Sequence, residues 1–154
     1  MNVTININLN VNVFLGGFEE LVMARARELV EPVQADMASR YAEVVRGNFG
    51  REGVDRPAVW PPLSPAYARK VNRTYATLYV SGALFDAVKV DAAAGRVSAS
   101  NADVPYATVH QTGGGNNIPP RPYFPILDNG NPTEYAVAEV LDAAERAVRR
   151  ELSK

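Results

Sequence analysis

Apolar and polar residues alternate strictly over residues 2–13, NVTININLNVNV. Val3, Ile5, Ile7, Leu9, Val11 and Val13 fall on one face; Asn2, Thr4, Asn6, Asn8, Asn10 and Asn12 fall on the other. A period of two specifies a half-buried β-strand. Asparagine is a poor strand former, so packing of the aliphatic row has to hold it. Two placements fit. The strand can edge the domain's own sheet, or residues 1–16 can form an arm, hinged at Gly16-Gly17, that adds to a neighbour's sheet. In the second case Val3, Ile5, Ile7, Leu9 and Val11 are the contact row. A long unpaired edge is an aggregation hazard for a lone molecule, which favours the arm.

The period changes at residue 18. Phe18, Val22, Ala26, Leu29, Val33, Met37, Tyr41 and Val44 step by threes and fours, predicting an amphipathic helix over 18–48. Pro32 lies inside it without a backbone donor, which predicts a kink or break near Glu28–Pro32. Residues 47–63 hold too many Gly and Pro for regular structure and read as a long loop that Trp60 pins to the core. Ser64 and Pro65 then read as N-cap and first residue of a short helix to about Asn72. Ser81 caps another over Gly82–Ala87. Val88 and Val90, with Val97 and Ala99, bracket DAAAG as two short antiparallel strands. A short helix over Asp103–Gln111 ends at Gly113. The sequence Asn131-Pro132-Thr133-Glu134 supplies an N-cap, a first-turn proline and a capping-box Glu for the last helix. Its expected buried stripe is Val137, Leu141, Ala144 and Val148, with Asp142–Arg146 and Glu145–Arg149 paired on the wet side.

These elements make one α+β domain over 1–154. It has a small, mainly antiparallel sheet, two longer helices (N-terminal half and C-terminus) and two or three short ones. The core spans 17–154, with long loops at 47–63 and 112–125. Composition removes several chemistries. The formal net charge is −1, so no global field draws the chain to phosphate, and there is no cysteine for a disulfide or a thiolate. No apolar run is long enough to cross a membrane. The N-terminus lacks the charged start of a signal peptide, so synthesis in the cytoplasm is expected.

Candidate chemistry is sparse. The single histidine, His110, is the natural general base, with Ser81, Ser98 and Ser100 as the hydroxyls to weigh against it. None of these serines sits in a motif that aims a nucleophile. A structural role fits better: one turn before a Gly stop, the His110 ring can bond the last free carbonyls of its helix. One His with no tight acidic cluster does not build a metal shell, so neither a metal nor a cofactor is expected. Gly113-Gly114-Gly115 follows a helix and lacks the Gly-Lys-Ser/Thr ending of a phosphate loop. Flexibility, or close approach of another backbone, explains it better. Arg121, fixed between Pro120 and Pro122, either binds a carboxylate of its own fold or reaches across an interface. Arg69, Lys70 and Arg73, flanked by Tyr67 and Tyr75, form the compact basic cluster; three charges on a short helix read as a solvated face.

The densest stretch is Tyr106–Phe124, YATVHQTGGGNNIPPRPYF. Its end, Ile118-Pro119-Pro120-Arg121-Pro122-Tyr123-Phe124, is similar to the IPxRPF signature of the phage virion morphogenesis family. Three more blocks agree in order: Trp60–Tyr67 (WPPLSPAY, with Pro62, Leu63, Ser64 and Pro65) followed by Lys70, Ser81–Leu84 (SGAL, with Gly82), and Tyr106–Gly113 with His110 and Gln111. Tyr123-Phe124 replaces the usual Phe-Leu and keeps its bulk. The resemblance implies a structural virion protein of a tailed bacteriophage. Such a protein completes the tail and forms the neck where tail joins head, acting as a homo-oligomeric ring, with six-fold symmetry the natural match to a tail tube. Implied neighbours are the tube, the sheath or the head–tail connector, with DNA crossing the lumen without being held. Val3, Ile5, Ile7, Leu9, Val11, Gly113, Gly114, Gly115 and Arg121 are the expected interface residues. A small virion hydrolase using His110, and a DNA-contacting head-completion factor, are the alternatives.

Overall fold

A computed structural model describes residues 3–6, 19–51, 53, 59–72, 77–79, 81–100, 102–115 and 117–154. Eight elements follow one another along the described chain: β1 (Val3–Asn6), α1 (Glu19–Arg51), α2 (Pro65–Val71), α3 (Ala83–Asp86), β2 (Lys89–Asp91), β3 (Arg96–Ala99), α4 (Ala107–Thr112) and α5 (Glu134–Leu152). This is the α+β architecture that the periodicities specify. The strands form one antiparallel sheet in the order β1-β3-β2. Ile5 and Val90 both stand opposite Val97, placing an aliphatic row across the sheet. β1 therefore edges its own chain's sheet, with Val3 and Ile5 half-buried and Thr4 and Asn6 exposed, as the alternation requires. Ile7, Leu9, Val11 and the hinge at Gly16-Gly17 lie outside the described residues.

α1 runs unbroken across Pro32, so the break expected there is absent. Val33, Met37, Tyr41 and Val45 are buried on one stripe, and this packing offsets the backbone bond that Pro32 cannot make. The helix also runs past 48 to Arg51, into the loop expected over 47–63. Gly47 and Gly50 have poor helix propensity, but Asn48 and Phe49 are buried, and core packing overrides propensity.

α5 lies antiparallel to α1. The polar ties fix this: Arg25 donates to the Glu151 carbonyl, Arg150 pairs with Asp36, and Arg40 pairs with Glu139. Its buried stripe is Ala136, Val140, Ala143 and Ala147, not the predicted one. Ala144 and Val148 are only partly buried, and Val137 and Leu141 stand 39% and 59% exposed. Small side chains let the helix approach the core closely, where Ala38 and Ala42 of α1 are also fully buried. Bulk alone pointed to the wrong side of the helix. The N-cap is Thr133, not Asn131: its N–H donates to the Pro125 carbonyl and its hydroxyl accepts from the Ala136 N–H. Glu134 is therefore the first helical residue and closes no capping box. The wet-side pairs Asp142–Arg146 and Glu145–Arg149 form as expected.

Ser64 and Pro65 start α2 as predicted, with the Ser64 hydroxyl accepting from the Tyr67 N–H. Ser81 Oγ accepts from the Ala83 N–H, although Gly82 holds the cap position of α3. α4 starts at Ala107 instead of Asp103. Pro105 disfavours helical backbone at Val104, and turns closed on the Ser100 carbonyl replace the missing helical residues.

Candidate functional site

The IPPRPYF segment has little regular structure and is deeply inserted: Arg121, Tyr123, Phe124 and Pro125 are all buried. Buried backbone groups must find partners, and prolines at 119, 120, 122 and 125 remove four of the donors. Side chains from elsewhere satisfy the rest. Gln111 of α4 is the central clamp. Its Oε1 accepts from the Tyr123 and Phe124 N–H groups at 3.1 and 3.0 Å, and its Nε2 donates to the Phe124 carbonyl at 3.1 Å. Asn48 Nδ2 donates to the Tyr123 carbonyl, and Trp60 Nε1 to the Pro122 carbonyl, each at 3.0 Å. The Arg121 N–H donates to the His110 carbonyl at 2.7 Å. Rings fill the space between: Phe49 packs edge-on against Trp60 and tilted against Tyr123. Trp60 thus does pin its loop to the core, through a bond as well as by burial.

Of the two roles expected for Arg121, the first is not taken: among the described residues no carboxylate of its own fold pairs with it. Only 5% exposed, it donates from Nε to the Pro61 carbonyl at 2.9 Å and from Nη2 to the Pro62 carbonyl at 3.0 Å. The fork ties the Trp60-Pro61-Pro62 segment to the IPPRPYF segment. His110 departs from expectation as well. Its ring does not bond the helix end; Nδ1 is buried without a partner, and the ring stacks edge-on against Tyr106. Burial, and then the nearby Arg121 charge, hold the imidazole below its ordinary pKa of 6.5. It is therefore neutral near pH 7.

All four sequence blocks meet at one open cleft of about 660 Å³. Leu63, Ser64 and Tyr67 come from the first block, Ser81 and Leu84 from the second, Tyr106 and His110 from the third, and Ile118, Pro119 and Arg121 from the fourth. Thr77, Leu78 and Asn117 complete the lining, and no periodicity along the chain singles them out. Asn48, where the expected helix and loop overlap, was also not singled out; its place one turn after Val44 on the buried stripe of α1 was the available signal. Gly113 and Gly114 are explained by close approach, but within the chain. Gly114 donates its N–H to the Ile118 carbonyl, and a Cβ on Gly113 would lie 3.2 Å from that same oxygen.

The cleft holds Ser64, Ser81 and His110, but their bonding is structural. Both hydroxyls accept backbone N–H groups at helix starts, and neither is hydrogen-bonded to the imidazole. Among the described residues, no three His, Asp or Glu side chains gather as a metal ion would need. No helix among them is long and apolar enough to cross a membrane. Arg69 and Lys70 are exposed on α2. Arg73 and Tyr75 of the same cluster lie outside the described residues.

Neither a curated protein nor a solved structure matches the chain significantly. The family model does: the blocks that build the clamp and the cleft fall inside its match, which covers residues 15–150, and the chain belongs to the phage virion morphogenesis family.

Proposed function

We propose that this virion morphogenesis protein completes the tail of a bacteriophage and joins it to the head, as a homo-oligomeric ring at the neck. Family membership makes it a phage protein of virion morphogenesis. The observation that carries the finer reading is the use made of the four blocks. Their polar side chains are spent on holding backbone in a fixed shape, and what they leave open is a recognition cleft with no base–nucleophile pair. Such a part works by being fitted to other parts, without turnover. The net charge of −1 agrees, since a ring that DNA must cross should not retain it through many phosphate contacts. Six copies would match a six-fold tail tube, and the tube, sheath or connector would be its neighbours. The ring would sit in the tail or neck of the virion after assembly in the host cytoplasm.

Electron microscopy of particles made without this protein tests the reading. Headless tails beside DNA-filled heads are the expected outcome; normal virions would refute it. A hydrolase would instead lose turnover on His110→Ala while particles assemble normally. A DNA-contacting factor would bind DNA in a filter assay at low salt, with affinity that falls steeply as salt rises.

A further inference from the structure

We infer that the cleft receives an exposed ridge of α5 from a second copy of the chain, so that protomers join head to tail. The inference rests on the ring reading and supplies its contact. Two features complement each other in shape and charge. The first is concave. Arg121 lines the cleft with its guanidinium held only by carbonyls, and among the described residues no carboxylate pairs with it. Tyr67, Tyr106 and Ile118 line the cleft too, and are 44%, 43% and 38% exposed. A desolvated cation inside an apolar, aromatic rim suits an acidic group carried on an apolar surface.

The second feature is convex. Glu134, Val137, Ala138 and Leu141 follow the i, i+3, i+4, i+7 spacing along one side of α5, opposite its alanine stripe. Val137 and Leu141 are exposed there in spite of their bulk. Glu139, Asp142 and Glu145, the next acids on α5, are already paired with Arg40, Arg146 and Arg149. Glu134 has no ion pair among the described residues, which leaves it as the carboxylate for Arg121 of the neighbouring copy. Cleft and ridge are separate surfaces, so one copy can offer its ridge to one neighbour and its cleft to another, a heterologous contact. Such contacts propagate and close into a ring when the rotation allows.

Two surface variants test this in the full chain. Leu141→Asp spoils the ridge and keeps the cleft; Ile118→Asp spoils the cleft and keeps the ridge. Circular dichroism checks that each stays folded, and Glu134→Lys replaces Leu141→Asp if it does not. In sedimentation each variant alone should self-associate at least about tenfold more weakly than the wild type. Mixed together, they should form a one-to-one pair through the single intact contact and grow no further. A wild-type ring with both variants assembling unchanged, or with mixed variants that stay apart, overturns this inference and leaves the ring reading standing. A wild-type chain that stays monomeric at every concentration overturns both.

Discussion

Replacing Gln111 with Met keeps the side chain's length and removes its amide. Three hydrogen bonds are lost, yet the groups left behind are not equivalent. The Phe124 carbonyl keeps its bond from the Ile126 N–H at 2.8 Å. The Tyr123 and Phe124 N–H groups have only Gln111 Oε1, and both residues are buried. A buried donor left without a partner costs about 1–3 kcal/mol, so two cost about 2–6 kcal/mol. Gln111 is only partly buried, and a water reaching one donor brings the expected loss to about 2–4 kcal/mol. That is a large share of the roughly 5–15 kcal/mol that holds a domain together. Urea denaturation followed by circular dichroism measures it, and a thermal midpoint should fall by about 2–4 °C per kcal/mol. Trp60, the single tryptophan, bonds the neighbouring Pro122 carbonyl, so its emission should shift to the red before global unfolding. Arg149→Met, which breaks an exposed ion pair, is the control and should cost under about 0.5 kcal/mol. A Gln111→Met loss no larger than that control would refute the clamp.

Four other outcomes follow from the same geometry. Arg121→Met should raise the pKa of His110, because it removes the smaller of the two causes holding it down; burial should still keep it below 6.5, as titration of the single imidazole by NMR would show. A neutral, buried His110 also means that the folded chain binds fewer protons than the unfolded chain just below pH 6.5. Its contribution to stability is complete above that pH and is lost as pH falls toward the lower folded value; urea midpoints on either side should show the slope, and His110→Gln should flatten it. Tyr41→Phe should leave stability unchanged or raise it by up to about 1 kcal/mol, because the Tyr41 hydroxyl is buried without a partner; a loss above about 1 kcal/mol would contradict this. Gly113→Ala should cost about 1–3 kcal/mol, since φ +80° and ψ 169° suit only glycine and the new Cβ would press on the Ile118 carbonyl, whereas Gly115→Ala, in open space, should cost little.

Elements with an unambiguous period were legible in the sequence: β1, the body of α1, the β2–β3 pair, and the Ser64-Pro65 start of α2. The misses share a cause. Periodicity ranks residues by bulk, while α5 buries alanines so that the helix can come close, leaving Val137 and Leu141 outside. Propensity placed Gly47 and Gly50 in a loop, and the burial of Asn48 and Phe49 overruled it. The bonds of Arg121 to carbonyls of its own chain were not foreseen, because sequence does not show which carbonyls an irregular segment leaves unpaired. Pro61 and Pro62 expose two, sixty residues away along the chain. The motif blocks were legible one by one; only three dimensions show that they line one cleft.

The most direct measurement is a reconstruction of the mature phage at the junction of head and tail. A closed ring of this chain, each copy contacting the next and both virion parts, is the predicted density. Particles that join heads to tails with no copy of the chain at that junction would contradict the account.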